Sequence, residues 1–370
     1  MKQTPGNRLS SLDILRGLTL FLLVFFQPVL RTLCRAIDSP FINDHILYHF
    51  SHETWVGFRF WDMIMPMFLF MCGITIPFSL SKYAGRTKDA HLKIFRRFVI
   101  LFILGMVVQG NLLGLDWKNI YFYSNTLQAI ACGYAIAALA QLHLSDKGRL
   151  ILVAALAIIY WIPMTFMGDF TTSGNFAEMV DRTVLGRFRD GVYWDEAGQW
   201  HYGEHYYYTW IWSSLTFGVT GLLGSIAGNL IKHTQDRFKT ARTLSFIGLG
   251  LLVAGGLWSL QMPIIKPIWT SSMALWAGGF SYLALSLFYY VVDCKGYSYG
   301  LNWLKYYGMN SIVAYLIGNV ISFKSVSNSL FHGFEQYLGG FYPTLITFSN
   351  VLILFFILRH LYRQGKFYKI

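Results

Sequence analysis

The sequence predicts an all-α membrane protein, a polytopic bundle of about ten transmembrane helices. The composition is the first observation, because hydrophobic residues make up 55% of the chain and charged residues only 13%, with a mean hydropathy of +0.44. The second is that apolar runs close to the roughly 20 residues needed to cross the hydrocarbon layer recur along the whole chain. The third is an uneven distribution of charge. We expect one transmembrane domain over residues 1–370.

The apolar windows and the charge bias together predict a topology. Of the 30 Lys and Arg residues, 21 fall on the side of the N-terminus, whereas most acidic residues fall on the opposite side. Cytoplasmic loops carry an excess of basic residues, so both termini are expected in the cytoplasm. The outer loops are expected at about 34–56 and 169–208. The predicted spans lie at about 12–33, 57–81, 98–115, 123–142, 150–168, 209–231, 244–262, 269–292, 303–323 and 342–360.

The first span begins with two charges that share a helix face, Asp13 and Arg16. An ion pair between them is one interpretation. The other assigns Arg16 to an anionic ligand, because guanidinium matches phosphate oxygens bidentately and stays charged. The sequence leaves both open.

The junction between the first outer loop and the second span holds the most informative residues. His52 ends the loop and Asp62 follows ten residues later inside an apolar run, where an unpaired carboxylate would be costly. A neutral imidazole there could accept a proton from a nucleophile while a carboxylate orients its other nitrogen. Two further predictions concern this loop. Glu53 is expected in solvent. The spacing of His45, His49 and His52 could place three imidazoles on one helix face for a metal, and separate interfacial histidines are the alternative.

The densest basic segment, 82–97, lies between the second and third spans. Positive-inside bias explains it, and an anionic phosphate-bearing ligand is the alternative, with Arg96 and Arg97 best placed to hold it. On the outer side, loop 169–208 combines carboxylates with many aromatic residues. That combination is typical of an interfacial aromatic belt, and it would also suit a sugar with a protonated amine.

Four ordered blocks carry a family resemblance. They are RLSSLDILRG, HETWVGFRFWDMIMPMFLFMCG, IKPIWTSS and YYGMNSIVAY, and they extend from residue 8 to about residue 315. In this order and at these separations, the chain resembles the heparan-alpha-glucosaminide N-acetyltransferase family and its bacterial relatives. The resemblance implies a multi-pass protein of a bacterial inner membrane.

The resemblance also implies an activity and its residues. It implies transfer of an acetyl group from cytoplasmic acetyl-CoA to the amine of glucosamine, or of a terminal glucosaminide, on the periplasmic side. His52 matches the family's catalytic histidine and Asp62 its acidic residue in the second span. Gln27 stands where the family has a second catalytic residue, an asparagine. For the cofactor, the residues expected to bind are Arg16, Arg96, Arg97, Trp269 and Asn310.

Several alternatives remain open at this point. His52 would either remove the amine proton for direct transfer or briefly carry the acetyl group. The rival functions are an O-acyltransferase of a surface or periplasmic glycan and an amino-sugar transporter, although the inverted repeats typical of transporters are not evident. The expected partners are acetyl-CoA, an amino-sugar or glycan acceptor and membrane lipid, and the resemblance suggests a homodimer. No metal ion and no nucleic acid are expected.

Overall fold

The computed structural model describes residues 9–109, 112 and 114–368 of the chain. Within that part, seven helices are long and apolar enough to cross a membrane. This confirms the predicted all-α, polytopic membrane protein, while the count of ten spans and the cytoplasmic termini stay predictions. Some predicted features fall outside the described residues, namely positions 110, 111 and 113 of the third span and the start of the first sequence block, at Arg8.

The elements follow one another in this order. The helices are α1 Ser10–Ile37, α2 Phe60–Tyr83, α3 Thr87–Val108, α4 Thr126–His143, α5 Asp146–Phe166, α6 Phe176–Leu185, α7 Ser214–His233, α8 Arg237–Trp258, α9 Ser271–Cys294, α10 Lys305–Met309, α11 Ser311–Val320, α12 Lys324–Phe331, α13 Glu335–Leu338 and α14 Tyr342–Arg363. A two-stranded antiparallel hairpin, β1 Val192–Trp194 and β2 Trp200–Tyr202, lies between α6 and α7. Short turns of helix lie at Ile42–Ile46, Leu47–Phe50, Trp117–Asn119, Gly186–Phe188, Asn302–Leu304, His332–Phe334 and Gly339–Phe341.

Two predicted boundaries differ from the structure for identifiable reasons. Helix α3 begins at Thr87 and not near residue 98, because the basic segment before the apolar run is itself helical. Lys, Arg, Ala and Leu are good helix formers, and a hydropathy window does not register a helix whose first turns are charged. The predicted span 303–323 is divided at Asn310, where the backbone leaves helical geometry between α10 and α11.

Helix α7 is the centre of the bundle and is buried along most of its length. It crosses α2 at glycine positions, since a Cβ atom on Gly224 would collide with the carbonyl of Phe70, and one on Gly73 with the carbonyl of Gly221. Small residues allow two backbones to approach in this way, so that packing and not a hydrophobic gradient holds the helices together in lipid. The crossing fixes α2, whose outer end carries Asp62.

The outer loop 169–208 is folded over the start of α7. Asp181 of α6 is fully buried and accepts hydrogen bonds from the backbone N–H groups of Trp210 (2.7 Å) and Ile211 (2.9 Å) and from the Tyr206 hydroxyl (3.0 Å). Burial raises the pKa of Asp181 to about 7. This buried carboxyl group anchors the outer loop to the segment that leads into α7.

Candidate active site

His52 and Asp62 lie in direct contact at the outer end of α2. The Nδ1 atom of His52 is 2.8 Å from Oδ1 of Asp62. Asp62 is fully buried, whereas 44% of the His52 side chain is exposed. Among the described residues no protein group bonds to Nε2 of His52, so this nitrogen is available to a ligand. The structure thus brings these two candidate residues together, and their catalytic role stays a prediction.

Local sequence explains how Asp62 is held. Asp62 lies three residues after Arg59, the residue that precedes the first helical turn, and its Oδ2 accepts the backbone N–H of Arg59 at 2.9 Å. The same oxygen accepts the backbone N–H of Glu53 at 3.2 Å. An acidic residue at this position satisfies N–H groups that a helix start leaves free, and the helix dipole favours its charge. Oδ1 therefore remains for the imidazole.

A second charged group reaches the pair from a distant part of the chain. Nζ of Lys266 lies 2.8 Å from Nδ1 of His52 and 3.3 Å from Oδ1 of Asp62. Lys266 is buried in the loop between α8 and α9. That loop pairs with the His52 loop through a bridge between Val56 and Ile265. Lys266 was not among the residues predicted for the site; the one signal in the sequence is a lysine inside a short apolar loop.

The charges at this site depend on burial. Burial lowers the pKa of Lys266 to about 8, although the Asp62 carboxylate opposes the shift. The pKa of His52 is lowered too, first by loss of solvent and then by the Lys266 charge, with the hydrogen bond to Asp62 acting in the opposite direction. At neutral pH the site therefore combines a neutral imidazole with a carboxylate and an ammonium group.

The tautomer of His52 decides what this arrangement can do. If Nδ1–H donates a hydrogen bond to Asp62, Nε2 presents a lone pair and can act as a base or a nucleophile. If Nδ1 instead accepts a hydrogen bond from the Lys266 ammonium group, Nε2 carries the ring hydrogen and cannot accept a proton. Asp62 and Lys266 thus compete for one nitrogen.

The loop that presents His52 is held by a second ion pair. Arg59 binds Glu53 through two hydrogen bonds, Nε to Oε2 at 2.8 Å and Nη2 to Oε1 at 3.0 Å. Its guanidinium group also lies 3.7 Å from the centre of the Tyr48 ring. The prediction that Glu53 lies in solvent is wrong, since this bidentate pair covers it.

Gln27, the third candidate catalytic residue, lies on the other side of the same loop. Its Nε2 donates to the carbonyl of Phe50 at 3.0 Å, two residues before His52. Gln27 also lines a cavity of about 390 Å³ between α1, the segment 318–324 and α14. Its contact supports the loop backbone, and a direct role toward a substrate stays a prediction.

The three arginines predicted to bind the cofactor have different surroundings. Arg16 is half-buried, 3.7 Å from Asp13, so the ion pair considered from the sequence is present. Arg96 is exposed on α3. Arg97 faces the bundle, with its guanidinium 4.4 Å from the Tyr134 ring and Nη2 3.4 Å from the sulfur of Cys72. Their phosphate-binding role stays a prediction.

The other two cofactor candidates are buried and bonded to the protein. The Asn310 amide donates to the carbonyl of Lys366 at 3.2 Å and accepts the backbone N–H of Tyr368 at 3.1 Å, which ties the C-terminal segment to the helix break. The Trp269 indole donates to the Thr220 hydroxyl at 3.1 Å in the core. A cofactor-binding role for these two residues stays a prediction.

The histidines of the outer loop do not form a metal centre in the part of the chain that the structure describes, where no three His, Cys, Asp or Glu side chains come together as ligands. The four cysteines are free.

Comparison with known proteins agrees with the resemblance seen in the sequence. No protein-family model matches the chain. The chain is 23% identical over 369 residues to the mouse heparan-alpha-glucosaminide N-acetyltransferase, covering 85% of this chain and 54% of the mouse protein. It is 24% identical over 362 residues to the human protein of the same name, covering 84% and 52%. The chain spans about half the length of the curated relatives it matches. It is a distant relative of the heparan-alpha-glucosaminide N-acetyltransferases.

Proposed function

We propose that the chain is a membrane acetyltransferase that transfers the acetyl group of acetyl-CoA to the amine of glucosamine or of a terminal glucosaminide. The observation that carries this proposal is the 2.8 Å contact between His52 Nδ1 and Asp62 Oδ1, with Nε2 of the ring open to a substrate. The names of the two relatives support the reaction class. The exposed imidazole edge supports a base at the surface of the bundle.

The proposed reaction needs a base because only a neutral amine attacks a thioester. The amine loses a proton to Nε2 of His52 as its nitrogen forms a bond to the acetyl carbon. The carbon–sulfur bond then breaks, and the imidazolium returns the proton to the departing thiolate. Asp62 holds Nδ1–H throughout and stabilises the imidazolium, which is the division of labour found in other acid–base pairs of this type.

The proposal also states from which side of the membrane each substrate reaches the site. Coenzyme A carries phosphates that cannot cross hydrocarbon, so we place them at the basic end of the bundle, with Arg16 and Arg97 as the half-buried candidates. The pantetheine arm would then run between helices toward His52 at the opposite end. Acceptor and donor would thus approach the site from opposite sides of a bacterial inner membrane.

The test uses purified chain in nanodiscs with radiolabelled acetyl-CoA. We expect acetylation of glucosamine and none of glucose or N-acetylglucosamine, and His52→Ala should reduce turnover by about 10²- to 10⁴-fold. His201→Ala is a matched control, because His201 also lies 2.8 Å from a carboxylate, that of Asp195, and its side chain is also 44% exposed. Transfer to the hydroxyl of a neutral sugar would favour an O-acyltransferase, and full activity of His52→Ala would refute the proposed site.

The same preparation separates direct transfer from a covalent intermediate. The Nε2 lone pair that accepts a proton can also attack the thioester and carry the acetyl group. Mixing enzyme and labelled acetyl-CoA without acceptor, then quenching rapidly, should leave label on a peptide containing His52 only if the acetyl-histidine forms.

A further inference from the structure

Two histidines from neighbouring helices meet at the opposite end of the bundle from His52. Nε2 of His91, near the start of α3, lies 2.9 Å from Nε2 of His143, the last residue of α4. The two ring centres are 5.0 Å apart, and the ring planes are inclined by 35°. Because α2 ends at Tyr83 and α3 begins at Thr87, the pair lies near the end of α2 that is farthest from the His52 site. Neither histidine takes part in the proposed acetyl transfer.

The backbone that carries the two rings is firmly packed. Ala90 and Ile94 of α3 are buried in one apolar cluster with Ala140 of α4. Small side chains such as alanine let two helices approach closely. His91 directly follows Ala90 in the chain. His143 lies one helical turn after Ala140, so packed helices and not mobile loops set the distance between the two imidazoles.

A hydrogen bond to the backbone fixes the tautomer of His91. Its Nδ1 lies 2.8 Å from the carbonyl oxygen of Thr87. A carbonyl oxygen only accepts, so Nδ1 carries the hydrogen, and Nε2 of the neutral ring presents a lone pair toward His143. A histidine that binds a metal usually donates its other ring N–H to a carboxylate or a backbone carbonyl, which orients the ring. His91 already has this arrangement.

Two imidazole nitrogens at this distance can share either a hydrogen or a metal ion. In the first case Nε2–H of His143 donates to Nε2 of His91. In the second case both lone pairs face one cation, and two Zn–N bonds of about 2.0–2.1 Å at a tetrahedral angle place the nitrogens about 3.3 Å apart. The rings would have to separate by roughly 0.4 Å, which rotation of exposed side chains allows. His143 would then carry its hydrogen on Nδ1, so the two neutral rings release no proton.

The surroundings of the pair select the kind of cation. Segment 82–97 holds six Lys and Arg residues and one acidic residue, Asp89, which pairs with Arg86 at 3.8 Å. Ca²⁺ and Mg²⁺ need carboxylate and other oxygen ligands, and this segment does not offer them. Imidazole nitrogens bind zinc, copper and nickel instead. Within the described part of the chain no third His, Cys, Asp or Glu joins the pair, so water would complete the coordination.

We propose that His91 and His143 form a two-histidine site for a divalent transition-metal ion such as Zn²⁺, which joins the start of α3 to the end of α4. Each neutral imidazole forms one metal–nitrogen bond through Nε2 and replaces one water of the hydrated ion. The proposal departs from the sequence prediction that no metal ion is bound, and it does not depend on the proposed function. Because the unfolded chain does not hold the two rings together, a bound metal stabilises the folded state.

The test uses the full chain in nanodiscs, without a polyhistidine tag, in metal-free buffer near neutral pH. We expect Zn²⁺ to raise the melting temperature, and Ca²⁺ or Mg²⁺ at the same concentration to leave it unchanged. His91→Ala and His143→Ala should each abolish this rise and lower Zn²⁺ affinity at least about tenfold, the loss that removal of a supporting partner alone typically causes. His360→Ala is the matched control and should keep both, because His360 is an exposed histidine in the last turn of α14 that pairs with Gln364.

Cu²⁺ provides a second readout that does not depend on stability. Electron spin echo modulation counts the imidazole nitrogens bound to Cu²⁺, and we expect two in the wild type and one in each single variant. If Zn²⁺ leaves the wild-type melting temperature unchanged, or if Cu²⁺ in the wild type has one imidazole ligand, the proposal is wrong and the pair is a hydrogen bond only. Wild-type Zn²⁺ affinity in His91→Ala or His143→Ala would also overturn it.

Discussion

Nζ of Lys266 lies 2.8 Å from Nδ1 of His52, the same nitrogen that lies 2.8 Å from Oδ1 of Asp62. An imidazole nitrogen cannot donate and accept at once, so only one of these contacts is a hydrogen bond at any moment. The lysine and the carboxylate thereby favour opposite tautomers of the ring. Lys266 is a positioning residue in this view, because it acts on the substrate only through His52.

We predict that Lys266→Met shifts the acid limb of the pH–rate profile to higher pH. The Lys266 ammonium is one of the charges that lower the pKa of His52, as is Arg31, while Asp62 raises it. Removing the ammonium leaves the carboxylate as the nearest charge, so the pKa of His52 rises and the ring is protonated at a higher pH. The dependence of kcat/KM on pH measures this shift. Lys118→Met, a change in the loop between α3 and α4, should leave the acid limb in place, and an unshifted limb in Lys266→Met would contradict the assigned contact.

We predict that Asp62→Asn lowers kcat by about 10²- to 10⁴-fold with little change in the KM for acceptor. The amide oxygen introduced by this change can still accept the backbone N–H groups of Glu53 and Arg59, so the amide NH₂ group would face His52 and make Nδ1 an acceptor. Nε2 would then carry the proton and could not act as a base.

The control for this change is Asp195→Asn, which alters the partner of His201 in the same way. It should retain wild-type kcat. Thermal unfolding of both variants would show whether the loss in Asp62→Asn comes from instability, and kcat above about one tenth of wild type would count against the tautomer argument.

The sequence predicted the part of the candidate site whose contacting residues are close together in the chain. His52 and Asp62 are ten residues apart across one loop–helix junction, and an acid at the start of a helix has a known place to bond. Hydropathy likewise predicted the membrane bundle, because every segment that crosses the lipid must be a long apolar helix, and each such helix can be recognised from its own residues. A hydropathy window did not detect the charged first turns of α3, because helix propensity and not hydropathy determines where that helix begins.

Features that depend on distant pairing were not predictable. Lys266 is 214 residues from His52, and the pairing of Val56 with Ile265 brings the two loops together. The hydrogen bonds between Asn310 and the C-terminal segment also join distant parts of the chain. An asparagine in an apolar run predicts a hydrogen bond, but the sequence does not show which residue is the partner.

We predict that the protein becomes less stable as pH rises from about 4 to about 7. The pKa of Asp181 is raised from 3.8 to about 7 by burial, so the folded state binds more protons than the unfolded state within that window. Asp190, with its pKa raised to about 6, acts in the same direction. The melting temperature should therefore fall between pH 5 and pH 7, and Asp181→Asn should reduce that slope because the amide stays neutral. Asp195→Asn, at a partly exposed carboxylate, should not change it. A slope unaltered by Asp181→Asn would show that Asp181 does not titrate there.

We predict that Gly224→Ala destabilises the bundle by about 1–3 kcal/mol and lowers acetyl transfer. The added methyl group would meet the carbonyl of Phe70, a backbone atom that cannot rotate away, so α2 and α7 would have to separate. Because α2 carries Asp62, this separation moves the carboxylate relative to the loop that presents His52. Gly250→Ala provides the matched control, since no atom lies near the added methyl group on α8 and alanine is the better helix former by about 1 kcal/mol. The melting temperature and kcat should therefore fall in Gly224→Ala alone, and equal behaviour of the two variants would mean that the close α2–α7 crossing does not position the site.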